Sequence, residues 1–356
     1  RFDSPGRPFC FRKRNVLSIR DSHTIVSTED RDRIISTVFN DYRLYLLISS
    51  VNRFDFLGAF SGLCYFSDVV DHALCFHGKF KPHLVYCSYT PHTLEAWIFM
   101  RTLEAAGVRI IRLINSPLPW VLMPVVGLSC DEKKGLALNK SVSSQVKLEK
   151  YLLLLRGSYD VAMPYYERVS KAFMVRQIVS AATIIFKPRI LFGALEKMLV
   201  LRDFRQSISP FNTDVPFAVY FLHYQPEMNT IPEAGLYCDQ YQAIRKLAAA
   251  LPDGMKLLVK EHPSTFSKRC DRRWRPHGFY KRIAELPNTQ ICPPELETYQ
   301  IIDMSKFVAS IAGVCLTEAL ARGVPSVSFF PPRFSYFSED VVVDASSASL
   351  SELRVA

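Results

Sequence analysis

The fold is decided by the stretch FAVYFLHYQPE at residues 217–227. Its first six residues are apolar or aromatic without interruption, which is typical of a parallel strand that is buried on both faces. Polar residues begin at His223, and from Asp239 onward apolar residues recur at helical spacing until the turn Pro-Asp-Gly at 252–254. The stretch therefore predicts a strand, a polar loop and a helix.

Two further units of the same kind follow along the chain. A strand at 256–259 runs directly into Lys-Glu-His-Pro at 260–263, and a strand at 307–310 leads through Gly313 into a helix near 315–322. Strands that alternate with helices predict a parallel α/β sheet. Because ligands collect beyond the carboxyl ends of such strands, we expect the functional residues at these turns.

The first half of the chain shows the same alternation, with a strand at 84–88, a helix at 94–106 and a strand at 108–114. These segments predict a right-handed βαβ unit. A polar segment that contains several prolines follows near residue 204, and such segments usually separate domains. We predict an N-terminal acceptor-side domain at 1–205 and a C-terminal nucleotide-sugar-binding domain at 206–356.

Composition restricts the functional classes. The 356 residues carry a formal net charge of +10, which favours polyanionic partners such as nucleotides, acidic glycans or an anionic membrane surface, although charge alone selects none of them. The nine cysteines include no Cys-x-x-Cys pair, so we expect reduced thiols in the cytoplasm. No run reaches the roughly 18 apolar residues of a membrane span, so contact with an inner membrane would be peripheral.

Several motifs of other enzyme classes are absent: no Gly-x-Gly-x-x-Gly, no Walker sequence and no His-Glu-x-x-His occurs. One Asp-x-Asp pair, at Asp30 and Asp32, precedes an apolar periodic run, so we interpret it as the acidic first turn of a helix rather than as a metal site. The basic run at 268–275 contains one aromatic residue. We interpret it as a solvated loop or a contact for an anionic glycan or nucleotide rather than for nucleic acid.

Lys260, His262 and Pro263 are the first candidates for donor-nucleotide binding. Pro263 fixes its own φ and restricts His262 to an extended conformation, so the imidazole is held in one direction. A lysine ammonium or an imidazole N–H at this place can hold a phosphate oxygen and stabilise charge on a leaving phosphate. The alternative for His262 is a histidine whose hydrogen bonds are satisfied within the core.

Ser310, Gly313, Thr317 and Glu318 are the second group of donor-binding candidates. Gly313 would let the backbone approach a ligand closely, and the amides that start the next helix would bind an anion, with the two hydroxyls as donors. Glu318 could accept hydrogen bonds from ribose hydroxyls. The alternative is a helix cap followed by an exposed glutamate.

The loop after residue 222 supplies the candidate carboxylates, Glu227 and Asp239, together with cleft residues Gln225, Asn229 and Thr230. Glycosyl transfer needs a carboxylate that deprotonates an acceptor hydroxyl or attacks the anomeric carbon. The alternative for Asp239 is a helix N-cap.

These motifs, in this order, resemble the capsule polysaccharide biosynthesis family, which includes bacterial β-Kdo transferases. The resemblance covers about residues 217–331. It rests on the segments His223-Tyr224-Gln225-Pro226-Glu227, Gly235 to Gln240, Leu251-Pro252-Asp253-Gly254, Val259-Lys260-Glu261-His262-Pro263, Tyr280 with Leu286-Pro287-Asn288, Gly313 to Leu320, and Arg322-Gly323-Val324-Pro325.

The resemblance implies a GT-B fold, in which two Rossmann-like domains face a central cleft, and a metal-independent sugar transferase without a cofactor. Members that use a CMP-activated donor hold its nucleotide through the His-Pro motif, here His262-Pro263, and through the later Ser-Thr-Glu segment. In Kdo-transferring members a cleft aspartate forms a covalent glycosyl intermediate, which gives retention. By its place along the chain Asp239 would be that aspartate, with Glu227 or Glu167 as acid/base.

This chain also departs from the family pattern. The segment Gly313 to Thr317 lacks the expected threonine-glycine steps, and Phe330 followed by two prolines replaces the usual glycine after the last strand. The chain ends before the final helix that usually returns to the first domain, so we expect it to belong to a longer protein. These departures bear on the donor's identity more than on the fold.

Three functions follow from the sequence. The first is a glycosyltransferase of bacterial-type surface polysaccharide synthesis that moves a sugar, with Kdo as one candidate, from a CMP-linked donor to a glycan or glycolipid acceptor. The alternatives are a nucleotide-sugar epimerase or hydrolase on the same fold, and a non-catalytic glycan-binding component of an assembly complex.

Overall fold

The computed structural model describes residues 27–41, 43–45, 47, 58–118, 121–128, 142–157, 188–262, 264–267, 274–330, 334 and 342–355. The chain divides into two compact units. One comprises residues 1–113 and 126–129, and the other comprises 114–125 and 130–356.

Nine strands are described, and most are short: β1 (Leu84–Cys87), β2 (Arg109–Asn115), β3 (Leu122–Val126), β4 (Phe217–Phe221), β5 (Lys256–Lys260), β6 (Thr289–Ile291), β7 (Val308–Ser310), β8 (Ser326–Ser328) and β9 (Val342–Asp344). The described α-helices alternate with them: α1 (Thr28–Phe39), α2 (Gly58–Phe80), α3 (Leu94–Ala105), α4 (Val142–Arg156), α5 (Pro188–Ser207), α6 (Gln240–Ala250), α7 (Ser264–Ser267), α8 (Phe279–Ala284), α9 (Thr298–Met304), α10 (Val314–Ala321) and α11 (Leu350–Val355).

The second unit contains a six-stranded sheet in the order β6-β5-β4-β7-β8-β9. All five neighbouring pairs run parallel. Counted from the first strand of this sheet, the order is 3-2-1-4-5-6, which is the order of the doubly wound Rossmann fold. The strand order reverses between β4 and β7, and the crevice at such a switch point is where Rossmann folds bind their ligands.

The core of this sheet follows from its sequence. Residues 217–220 of β4 are fully buried, because both faces of the central strand are covered by other elements. Helix α6 buries Ile244 and Leu247 along one face, and Asp239 caps its first turn. The tight turn after α6 contains Gly254 with φ of 80°, a conformation that glycine adopts without strain. The predicted α/β class, with parallel strands, is confirmed.

The segment before the predicted domain boundary packs on the second unit. The Asp203 carboxylate accepts a hydrogen bond of 3.1 Å from the Tyr280 amide at the start of α8. The Phe204 ring lies 5.0 Å from the Tyr280 ring and 4.8 Å from the Phe266 ring. The end of α5 therefore contributes to the core of the second unit, and the division after residue 205 stays a prediction.

The first half of the chain contains a three-stranded sheet in the order β1-β2-β3. Strands β1 and β2 run parallel and are joined by α3, so the predicted βαβ unit is confirmed. Helix α1 begins after Ser27, whose side chain accepts from the Asp30 amide. Asp30 thus lies in the first turn of a helix, as the sequence indicates, and Asp32 follows in the next turn.

Candidate functional site

His223 marks the switch point of the sheet. It lies two residues after the end of β4, is buried, and its Nε2 atom accepts a hydrogen bond of 3.1 Å from the Ala312 amide in the turn after β7. Because Nε2 accepts here, a neutral ring carries its proton on Nδ1. Nδ1 lies 3.7 Å from a carboxylate oxygen of Glu227, whose side chain is 43% exposed. The histidine therefore joins the two central strand ends and faces a solvent-accessible carboxylate.

Gly313 lies where the backbone turns from β7 into α10. A Cβ atom at this position would approach Cys315 Sγ to 2.8 Å, Ser310 Oγ to 3.1 Å and His223 Nε2 to 3.6 Å. The Ser310 hydroxyl donates to the Phe221 carbonyl at 2.9 Å, which ties β7 to the end of β4. A thiol, a hydroxyl and an imidazole therefore surround a position that only glycine fits without displacing a neighbour.

The first turn of α10 has no side-chain cap. Its N-cap residue is Gly313, which has no side chain to accept from the amides, so those groups are suited to an anion. Further along α10 the buried Thr317 hydroxyl finds no hydrogen-bond partner among the described residues. Glu318 is also buried and accepts from the Tyr299 hydroxyl at 3.3 Å. Glu318 is thus a buried member of the helix rather than the exposed glutamate of the alternative interpretation.

The loop after β4 is held by buried amides. The Gln240 side chain accepts from the His223 amide at 2.7 Å and donates to the His223 carbonyl at 3.1 Å. Gln240 also donates to Gln225 Oε1 at 2.7 Å, and Gln225 donates to the Cys238 carbonyl at 2.7 Å. Gln225, which we predicted in the cleft, therefore serves to fix the loop.

The remaining cleft candidates lie in a short turn of the same loop. The Thr230 hydroxyl is buried and donates to the Glu227 carbonyl at 2.8 Å. Asn229 is half-buried in this turn. Thr230 supports the position of Glu227. Contact of either residue with a ligand stays a prediction.

The predicted catalytic carboxylates differ in their surroundings. Asp239 is exposed, and its two oxygens accept from the Tyr241 amide at 3.2 Å and from the Gln242 side chain at 3.1 Å. It therefore fills the N-cap role that was the alternative for it. Glu227 lies beside His223, whereas Glu167 lies outside the described residues.

The candidates at the end of β5, Lys260, His262 and Pro263, also differ in their surroundings. The ammonium of Lys260 is buried and donates to the Leu296 carbonyl at 2.7 Å, and burial lowers the pKa of this group. The His262 ring is half-buried with its centroid 6.2 Å from that of Tyr224, next to His223. Pro263 lies outside the described residues.

A buried ion pair behind these strand ends was not among our predictions. Glu261 and Arg275 are both buried, with Arg275 Nε 2.7 Å from Glu261 Oε2. The sequence contained one signal, because a glutamate that directly follows a fully buried strand needs a buried cation partner. The interpretation of 268–275 as a solvated loop or a contact for an anionic glycan or nucleotide is wrong for Arg275, whose side chain is buried.

A polar cavity of about 620 Å³ lies elsewhere in the second unit, at the amino ends of β5 and β6. Its lining includes Lys256, Lys281, Glu285, Asn288 and Gln290. This mixture of charges contains no glycine and no helix start, so it lacks the features with which a Rossmann sheet binds phosphate.

The chain is similar to several solved structures, but no family model and no curated protein matches it. Among solved structures, it is similar to the Thermosulfurimonas dismutans KpsC β-Kdo 2,7-transferase at 14% identity, covering 79% of this chain and 78% of that one, with a TM-score of 0.32. The β-Kdo 2,4-transferase of the same KpsC is similar at 12% identity, covering 76% of this chain and 77% of that one, with a TM-score of 0.31.

A putative UDP-N-acetylglucosamine 2-epimerase from Listeria monocytogenes is similar at 11% identity, with coverage of 82% of this chain and 68% of that chain and a TM-score of 0.28. At these identities and scores the likenesses say nothing about activity.

The site thus consists of three parts that one sheet edge brings together: the His223 ring with Glu227, the turn around Gly313, and the uncapped start of α10. Within the described ranges, no group of three or more His, Cys, Asp or Glu side chains is arranged to hold a metal ion. None of the described helices combines the length and apolarity that crossing a bilayer requires.

Proposed function

We propose that the chain binds the nucleotide of a sugar donor at the edge between β4 and β7 and acts as a glycosyltransferase. The observation that carries this proposal is the turn around Gly313. There, an uncapped helix start, a position without a side chain and a buried imidazole meet at the switch point of a Rossmann sheet.

The phosphate of the donor would lie against the first turn of α10. The amides of Val314 and Cys315 offer hydrogen bonds, and the helix dipole favours a negative charge at this end. The positive net charge of +10 would draw the anionic donor towards the protein. We assign the sugar-nucleotide donor to this turn, with a CMP-linked sugar as the first candidate from the family resemblance.

Glu227 is the carboxylate that we propose as the acid or base of the transfer. It is exposed enough to meet a substrate, and the proton-bearing Nδ1 of His223 lies 3.7 Å from it. The Nδ1 side of the ring faces the carboxylate, while the Ala312 amide at Nε2 holds the ring in place. Asp239 fits a nucleophile less well, because one of its oxygens caps α6 and the other accepts from the Gln242 side chain.

The acceptor would be a glycan or glycolipid of a bacterial-type surface polysaccharide, and Kdo is one candidate for the transferred sugar. No step of this proposal requires a metal ion, since the amides and the imidazole would offset the phosphate charge. We also propose that the protein acts in the cytoplasm and contacts the inner membrane surface only peripherally.

Titration calorimetry with CMP and with UDP tests the proposal. We expect one of them to bind wild-type protein with a micromolar to millimolar dissociation constant, and we expect His223→Ala to weaken that binding at least tenfold. The control is His277→Ala, which removes an exposed histidine of the same unit. Folded protein that binds neither nucleotide would remove the proposal.

A second assay separates transfer from the alternatives. Donor sugar is incubated with and without acceptor, and its products are followed by mass spectrometry. Transfer consumes donor only when acceptor is present, whereas an epimerase alters the donor alone and a binding protein leaves it unchanged.

A further inference from the structure

Arg275 lies in the interior of the second unit, behind the candidate site. Its guanidinium is buried, and all five of its N–H groups are used. Nε donates to Glu261 Oε2 at 2.7 Å, and Nη2 donates to Glu261 Oε1 at 3.0 Å and to the His223 carbonyl at 2.8 Å. Nη1 donates to Gln225 Oε1 at 3.1 Å and to the Trp274 carbonyl at 3.0 Å.

The partner carboxylate of Arg275 is equally well satisfied. Glu261 accepts from the Tyr280 hydroxyl at 2.5 Å, the Thr265 hydroxyl at 3.0 Å and the His262 amide at 2.6 Å. Burial alone would raise the pKa of Glu261, but the charge of Arg275 and these hydrogen bonds lower it overall. The carboxylate therefore stays charged and holds the guanidinium in one orientation.

Two strand ends meet at this guanidinium. Glu261 follows β5 directly, and His223 and Gln225 follow β4. The hydrogen bonds to the His223 carbonyl and the Gln225 side chain fix the backbone that carries the His223 ring. That ring in turn holds the Ala312 amide, one residue before Gly313. A continuous set of contacts therefore runs from Arg275 to the turn at which we place the donor phosphate.

We infer that Arg275 is a positioning residue for the donor site: it holds the His223 backbone in place, so that the ring meets the Ala312 amide, and this contact fixes the ring's tautomer and the shape of the turn at Gly313. This inference rests on the proposed function for its effect on nucleotide binding, but its effect on His223 does not. A lysine could not substitute, because an ammonium offers three donors from one point where the guanidinium offers five in a plane.

Removing one member of a buried ion pair leaves the other charge uncompensated, so the main test variant removes both charges together. Glu261→Gln combined with Arg275→Met keeps similar volumes and an acceptor for Tyr280. Tyr280→Phe is the milder variant, because it deletes one hydroxyl of the network. The control is Thr102→Val, which deletes a buried hydroxyl hydrogen bond of 2.7 Å in the first unit.

Three quantities are measured on each folded variant: the free energy of unfolding from urea titration, the affinity for CMP and UDP, and the ¹⁵N shifts of the His223 ring. We expect the double variant to lose at least tenfold in affinity and Tyr280→Phe two- to fivefold. We expect the His223 shifts in both to move from a single Nδ1-protonated form towards an exchanging mixture. Thr102→Val is expected to change stability without changing affinity or the ring shifts.

Wild-type affinity and unchanged ring shifts in the folded double variant would overturn the inference. Should the double variant fail to fold, Tyr280→Phe decides by the same two readouts. If wild-type protein binds neither nucleotide, the proposed function fails, and the ring shifts alone then decide whether Arg275 positions His223.

Discussion

Replacing Gly313 by alanine places one methyl group at the centre of the candidate site. The backbone tolerates the change, because φ is −66° and ψ is 154° at this position. The methyl group would lie 2.8 Å from Cys315 Sγ and 3.1 Å from Ser310 Oγ, and both atoms must move to make room. The methyl group therefore fills space inside the turn, and the backbone conformation of the turn need not change.

Two effects on folding oppose each other in this variant. Overpacking costs about 1–3 kcal/mol, with the low end expected here because the half-buried Cys315 side chain can rotate. Replacing glycine lowers the conformational entropy of the unfolded chain, which stabilises the folded protein by about 0.4–1 kcal/mol. The free energy of unfolding should therefore fall by about 1 kcal/mol or less.

Binding should suffer more than folding. A methyl group that holds a phosphate away from the α10 amides removes hydrogen bonds to a charged group, each worth about 1.5–3 kcal/mol. At about 1.4 kcal/mol per tenfold, the affinity for the nucleotide should fall roughly 10- to 100-fold.

Gly323, at the other end of the same helix, provides the matched control. Its φ is 81° and a Cβ there meets nothing within 4 Å, so Gly323→Ala should cost about 1–2 kcal/mol of stability through backbone strain. Its nucleotide affinity should stay within twofold of wild type. The assay is titration calorimetry at a temperature where all three proteins are folded. Equal affinities for wild type and Gly313→Ala, or equal losses in both variants, would show that the phosphate does not lie against this turn.

Three further predictions concern charged groups. Lys260→Met should leave nucleotide affinity within threefold of wild type, because the ammonium already donates to a backbone carbonyl. A tenfold loss of affinity in titration calorimetry would show that Lys260 binds the donor. Glu261 has a lowered pKa, so it contributes stability above about pH 4.3 that is lost as the pH falls through its folded pKa. Urea titrations from pH 6 to 3 should therefore show a steeper loss in wild type than in a variant lacking the Glu261 and Arg275 charges, and parallel curves would contradict this. In the first unit, Asp41→Ala leaves the buried Arg43 uncompensated and should cost about 3–5 kcal/mol in urea unfolding, whereas Glu285→Ala, in an exposed pair, should cost about 0.5 kcal/mol or less; equal costs would contradict the account.

Strands β4 and β5 of the second unit could be predicted because apolar residues dominate them, whereas β6, with the sequence Thr-Gln-Ile, carries no such signal. The run at 217–222 and the run at 256–259 are buried on both faces, and each ends in polar residues that the strand direction places at one edge. Glycines at the turns marked where helices end and strands begin. These signals are local in sequence, so a single chain displays them.

The roles of particular side chains could not be predicted in the same way. Lys260 and His262 lie two residues apart after one strand, yet the Lys260 ammonium is engaged by the Leu296 carbonyl and the His262 ring lies beside Tyr224. Which carbonyl or ring a side chain meets depends on segments distant along the chain. Arg275 is the clearest example, because its basic neighbours indicated a surface whereas its contacts are with two strand ends.

Hydrogen exchange followed by mass spectrometry, with and without saturating CMP or UDP, shows which segments of the protein the nucleotide contacts. We expect slower exchange in peptides that cover 307–320 and 223–230, with the largest change at the amides of Val314 and Cys315. Nucleotide binding accompanied by protection only around Lys256 and Asn288, at the opposite ends of the strands, would contradict this expectation.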